Sequence, residues 1–163
     1  MKSRIVPLLI LLVSFTLPAA AQVQQVKIGV NGLVCAVCSF SVEKALGKRD
    51  DIDSAKVDLK DKTVNISLKP GFVFNPESIR QTIKKAGFQT RDFELVAQGR
   101  IVRTGETYEF ALEGATTRYT LRAPTEDKLA SNQGKTIQLR ARVVGEKPAI
   151  ELEVLDVSLA SSK

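Results

Sequence analysis

The sequence predicts an α+β protein in two parts: a βαββαβ unit within residues 22–96, then a five-stranded β-barrel within residues 97–158. Three observations predict it. In the first part the apolar residues switch between a period of two and a period near 3.6, in the order strand, helix, strand, strand, helix, strand. Residues that start and stop helices stand where the period changes. Beyond Gln98 the chain reads as short alternating runs parted by glycine-containing turns, with one brief helical stretch.

Val26, Ile28 and Val30 alternate with polar or small residues, the pattern of a half-buried strand, and Asn31-Gly32 breaks it. From Cys38 to Leu46, Val42, Ala45 and Leu46 make an i, i+3, i+4 apolar stripe, with Gly47 as the stop. Ile52–Leu59 and Thr63–Leu68 alternate around Asp61-Lys62, which predicts a hairpin. Asn75-Pro76 joins a capping side chain to a proline at the first helical position; Ile79 and Ile83 form the inner face and Gly87 ends the helix. Phe88–Leu95 is the last strand, which completes the ferredoxin-like split arrangement.

Val96–Gln98 reads as the junction. After it, Gly99–Arg103, Glu106–Leu112, Arg118–Leu121, Thr136–Val144 and Ile150–Val157 read as strands. A short helix over Pro124–Ser131, with Leu129 and Ala130 as its apolar residues, falls between the third and fourth. That element order predicts an OB-like barrel. Residues 159–163 are expected to be a tail.

Met1-Lys2-Ser3-Arg4, the apolar run Ile5–Leu17 and Pro18-Ala19-Ala20-Ala21 form the charge, apolar core and small-residue pattern of a signal peptide over residues 1–21. The apolar run is short of the roughly 20 residues that span a bilayer. The expectation is a periplasmic or secreted protein, not membrane-anchored after cleavage. It retains 22 basic and 18 acidic residues once Lys2 and Arg4 are removed. Charges of both signs are interspersed, and residues 98–163 hold ten basic and nine acidic side chains. Tyr108, Phe110 and Tyr119 are the aromatics after Phe93. Nothing here favours a nucleic-acid partner.

The chemistry is bounded by what the chain lacks. It has no histidine and no tryptophan, and its one methionine is Met1. Histidine-dependent triads, common zinc sites, blue copper and Cys-x-x-Cys-His haem attachment are therefore excluded, and no enzymatic role is expected. Cys35 and Cys38 are the two soft ligands. A pair of thiolates satisfies an ion that accepts two-coordinate geometry, so Cu(I) is the expected metal, with Hg(II) or Ag(I) as alternatives. Cys35 lies in the loop leaving the first strand and Cys38 opens the first helix, where free N–H groups favour a thiolate.

Gly32-Leu33-Val34-Cys35-Ala36-Val37-Cys38 resembles the metal loop of the heavy-metal-associated domain family, usually Gly-Met-Thr-Cys-x-x-Cys. The resemblance continues through Ser41-Val42-Glu43-Lys44-Ala45-Leu46 and Ile83-Lys84-Lys85-Ala86-Gly87-Phe88, over about residues 25–95. The family includes copper chaperones, modules of copper-exporting P-type ATPases and the periplasmic mercury-binding protein. It implies that Cys35 and Cys38 bind the metal and that Phe88 packs near the site as a lid. Leu33 replaces the family's methionine, which conserves volume. Val34 replaces a polar residue near the first thiol.

Other readings stand beside these. Less favoured readings of the cysteines are a disulfide formed in an oxidising compartment and a thiol–disulfide oxidoreductase pair. Phe88 is either a lid or a core aromatic. Lys84 and Lys85 are a solvated helix face or a means of steering an acidic partner. Arg100, Arg103, Arg140 and Arg142 would cluster on one barrel face if their strands were adjacent. The expected partner is a membrane metal transporter or another metalloprotein.

Overall fold

A computed structural model of the protein describes residues 23–69, 71–112, 117–123, 126–145 and 150–160. The signal-peptide residues 1–21, Pro124 at the start of the expected third helix, and Glu146-Lys147-Pro148 in the last turn lie outside them.

The first unit forms in the expected order: β1 (Val23–Asn31), α1 (Ala36–Gly47), β2 (Ile52–Asp58), β3 (Thr63–Leu68), α2 (Pro76–Lys85) and β4 (Gln89–Thr104). Its strands lie side by side as β2-β3-β1-β4, the ferredoxin-like arrangement. Val26, Ile28, Val30, Val64, Ile66, Phe93 and Leu95 alternate inward beneath Val42, Leu46, Ile79 and Ile83 of the helices, and all are buried. Burial of side chains of this size stabilises by about 1.5–3 kcal/mol each. Asn75 caps α2 by accepting the Ser78 N–H at 3.1 Å, with Pro76 following. Gly87, at φ 91°, takes the left-handed turn after it. Gly47 does not stop α1: it is the last helical residue and Lys48 is the cap.

Val96–Gln98 is not a junction between strands. Phe88–Leu95 and Gly99–Arg103 were expected as two elements, but β4 runs unbroken for 16 residues. Phe93, Leu95, Ala97, Gly99 and Ile101 stay buried at every second position, so the period of two passes straight through. Gly99 is a packing glycine. A side chain there would strike the Ala111 carbonyl oxygen and sit 2.8 Å from the Phe110 ring.

The second unit adds β5 (Thr107–Leu112), β6 (Arg118–Arg122), α3 (Asp127–Ala130), β7 (Thr136–Val144) and β8 (Glu151–Leu159). The outer part of β4 pairs with β5, then β6, β8 and β7 follow, and β7 returns to β4 to close a five-stranded barrel. β6 and β8 run parallel; the other pairs in the ring are antiparallel. Leu129 of α3 is buried. β8 extends past the expected tail boundary because Ser158 and Leu159 pair with Gln138 and Ile137.

The two units share sheet and core. From Glu94 to Ala97, β4 has β1 on one side and β7 on the other. β4 starts beside the end of β1 (Asn31 opposite Gln89) and reaches the barrel past the beginning of β1 (Val23 opposite Ala97). The barrel therefore grows from the end of the sheet opposite the cysteine loop.

Candidate metal centre

The cysteine loop follows from how β1 ends. Gly32, at φ 89°, turns the chain out of the strand, and Leu33, 1% exposed, anchors the loop in the core. Leucine thus fills the methionine position of the resembled motif. Val34 and Cys35 then emerge into solvent.

Cys35, not Cys38, marks the start of α1. Its backbone is extended, and its Sγ accepts the Cys38 N–H at 3.1 Å, so the sulfur takes the place of a capping oxygen. The Cys35 carbonyl oxygen accepts the Ser39 N–H at 3.1 Å and the Ser39 hydroxyl at 3.3 Å. Cys38 sits in the first helical turn, half-buried against the core, while Cys35 is exposed. The two sulfurs are joined as a disulfide, with the Cα atoms 5.2 Å apart. This is the disulfide alternative read from the sequence. Reduction would give two sulfurs held side by side, with an amide N–H aimed at one of them.

Next to the pair in sequence, Val34, Val37 and Phe40 are 77%, 74% and 61% exposed, an apolar rim to the loop. The Lys44 ammonium lies 5.6 Å from the Phe40 ring centre, within cation–π range. Phe88 is half-buried against the core, and its Cδ1 stands 3.4 Å from where a Gly32 side chain would begin. It therefore packs on the root of the loop as well as on the core. Lys84 and Lys85 are both exposed.

The four arginines do not form one cluster. β4 and β7 are adjacent, but Arg100 lies level with Thr136, Arg140 with Val96 and Arg142 with Glu94, so the side chains are spread along the strands. Arg142 pairs with Glu153 at 3.1 Å and Glu94 at 3.7 Å. Arg103 stands at the tip of β4, its guanidinium 5.6 Å from the Tyr108 ring centre. Tyr108, Phe110 and Tyr119 are all buried inside the barrel unit.

The first unit is thus a βαββαβ fold that carries a Cys-x-x-Cys pair on the loop between its first strand and first helix. Residues 27–89 match the heavy-metal-associated domain family. Over 62 residues the chain is 39% identical to "Copper-transporting ATPase HMA5" of Oryza sativa subsp. japonica, covering 38% of this chain and 6% of that protein. It is 35% identical over 66 residues to "Copper-transporting ATPase RAN1" of Arabidopsis thaliana, covering 40% and 6%. A solved copper-binding domain from HMA7, a P-type ATPase, is 34% identical with a TM-score of 0.39, covering 42% of this chain and 90% of that one. The chain thus spans about 6% of the length of these curated relatives.

Proposed function

We propose that this is an exported metallochaperone or scavenger that holds one Cu(I) between reduced Cys35 and Cys38 and passes it on by ligand exchange. The observation that carries this reading is the pair itself, two sulfurs side by side on an exposed loop at a helix start. Two thiolates suit a soft, low-coordinate ion, and the relatives that share this domain are named as copper-transporting ATPases. Ag(I) and Hg(II) are the alternative ions, because they accept the same two-sulfur geometry.

Transfer needs no general acid or base, so the protein works without catalysis. An incoming thiolate adds to the bound ion, a three-coordinate species forms, and the ion leaves along a gradient of affinity. Val34, Val37 and Phe40 form the docking rim for that donor or acceptor, a membrane metal transporter or another metalloprotein. Export is supported by the signal pattern of residues 1–21; among the described residues no helix is long and apolar enough to cross a membrane. The barrel is OB-like: its ring order, its parallel β6–β8 pair and its helix between the third and fourth strands support that assignment. Set at the far end of the sheet, it leaves the cysteine loop open.

The disulfide favours one second reading, a thiol–disulfide oxidoreductase that uses the same pair. Anaerobic titration of the reduced protein with Cu(I), Hg(II) and Zn(II) against a chromophoric chelator separates the two. One soft ion per chain, weak Zn(II), and loss of binding in Cys35→Ser/Cys38→Ser are expected. Failure to compete for either soft ion, together with turnover on a disulfide substrate, would establish the oxidoreductase instead.

A further inference from the structure

Three turns of the chain meet at the end of the sheet that carries the cysteine loop. The loop leaves β1 after Asn31, the β2–β3 hairpin closes over 59–62, and α2 passes into β4 through 86–88. Contacts hold them together. The Val30 N–H donates to the Lys62 carbonyl oxygen at 3.0 Å, Asn31 pairs with Gln89, and Phe88 packs on Gly32.

Among the described residues seven large apolar side chains are exposed, and four of them, Val34, Val37, Phe40 and Leu59, belong to this end. Single exposed apolar residues are ordinary; a concentration of them marks a contact surface. Residues 28–42 hold no charged side chain, so the loop meets its surroundings with apolar groups and the two cysteines. Val34 and Val37 are about three-quarters exposed, so they stand out from the backbone and do not line a groove.

Positive charge accompanies the apolar groups. Residues 31–44, 59–62 and 84–92 contain Lys44, Lys60, Lys62, Lys84, Lys85 and Arg91 against Glu43, Asp61 and Asp92, an excess of three cations. The acids are engaged: Glu43 accepts the Val57 N–H at 2.8 Å, Asp61 holds Lys27 at 3.2 Å, and Asp92 faces Arg91 at 3.9 Å. Lys60, Lys62, Lys84 and Lys85 are exposed and form no ion pair among the described residues.

Projecting apolar side chains with unpaired lysines beside them meet the two needs of an interfacial anchor: apolar area for the acyl boundary and basic charge for anionic headgroups. A protein partner would have to supply a matching surface of standard size, whereas a fluid bilayer moulds itself to projecting groups. The Lys44 ammonium, 5.6 Å from the Phe40 ring centre, can stay among headgroups while the ring goes deeper. Insertion is shallow, because the loop's backbone N–H and C=O groups still need polar partners.

We propose that this end of the molecule seats on an anionic phospholipid bilayer, with Val34, Val37 and Phe40 in the interface and Lys60, Lys62, Lys84 and Lys85 against the headgroup phosphates. Seating lays the Cys35–Cys38 loop on the membrane surface. It deepens the exported-chaperone reading by naming where that loop works, but it uses neither free sulfur nor bound ion.

The test is co-sedimentation of residues 22–163, which contain every described element, with vesicles. The disulfide is kept closed and no metal is added. Vesicles of equal parts phosphatidylglycerol and phosphatidylcholine should bind at least tenfold tighter than pure phosphatidylcholine, and added salt should erase the difference. Val37→Ser/Phe40→Ser should weaken binding tenfold or more. Lys84→Gln and Lys85→Gln should each cost about fivefold on the anionic vesicles alone. Phe72→Ser/Val73→Ser, an exposed apolar pair in the segment before α2, should change nothing. No vesicle binding, equal binding to both compositions, or equal losses in the two serine pairs would overturn the proposal and leave the rim to a protein partner. Cu(I) titration of the reduced protein is a separate measurement, so either reading can fail without the other.

Discussion

The Tyr119 hydroxyl donates to the Phe74 carbonyl oxygen at 3.4 Å, a buried bond from β6 of the barrel to the segment that leads into α2. Phe74 is itself buried, its ring tilted against Phe93 with centroids 6.4 Å apart. The barrel and the ferredoxin-like unit are thus pinned at a second place besides β4.

Tyr119→Phe should cost about 1 kcal/mol, the net worth of one neutral hydrogen bond, in urea unfolding near pH 7. Burial raises the Tyr119 pKa above its usual 10.0. The unfolded chain therefore ionises at lower pH than the folded one, and the native protein loses stability as pH rises through about 10. That alkaline loss should be smaller in Tyr119→Phe; equal slopes for both proteins between pH 9 and 11 would count against it.

Gly99→Ala should destabilise by roughly 1–3 kcal/mol, the usual penalty for overpacking. The new methyl would meet the Ala111 carbonyl oxygen and the Phe110 ring, and backbone cannot step aside as a flexible side-chain end can. Gly71→Ala makes a poor control because Gly71 has φ 85°. Gly47→Ala is a good one: nothing lies within 4 Å of its side-chain position and its φ is ordinary. It should be neutral or mildly stabilising, since alanine is the better helix former.

Arg49 ties the loop after α1 to α2. It pairs with Asp51 through two bonds of 2.8 and 2.7 Å, and one guanidinium nitrogen donates to the Ser78 carbonyl oxygen at 3.1 Å and to Thr82 Oγ1 at 2.8 Å. Because both ionic partners are largely shielded from water, Arg49→Ala should cost about 2 kcal/mol. Arg49→Lys should recover little of it, since an ammonium cannot reproduce the bidentate fork. Thermal melts of the three proteins decide the matter.

Phe88→Ala should lower stability by about 2 kcal/mol, less than a fully buried phenylalanine because Phe88 is half-buried. It should also speed the loss of a bound soft ion to excess chelator, because the ring braces the loop at Gly32. Stopped-flow release at equal folded fraction separates the two effects. Unchanged release would leave Phe88 as a core residue alone.

Much of the first unit was legible because local signals agreed. Asn75-Pro76 starts α2 as its chemistry requires, and β3 and β7 have the bounds their alternation gives. The start of α1 was misplaced because Ala36 and Val37 are exposed and add nothing to an apolar stripe, and a cysteine cap has no ordinary sequence signal. Gly99 suggested a break, since glycine inside a strand weakens it; its reason lies across the barrel, at Ala111 and Phe110. The cysteine pair was plain from composition, whereas the nearness of Phe88 to Gly32 came through family resemblance.

A strand bordering solvent offers its bare amides and carbonyls to any passing chain. In a free-standing βαββαβ unit with this strand order, the last strand would be such a border. Here β7 occupies that side of Glu94–Ala97. A truncation at residue 97 would therefore strip the ferredoxin-like unit of its neighbour and bare the Glu94–Ala97 margin that β7 covers in the full chain. Self-association of that fragment, with the whole chain staying dispersed, would show the barrel serving its companion as a selvage.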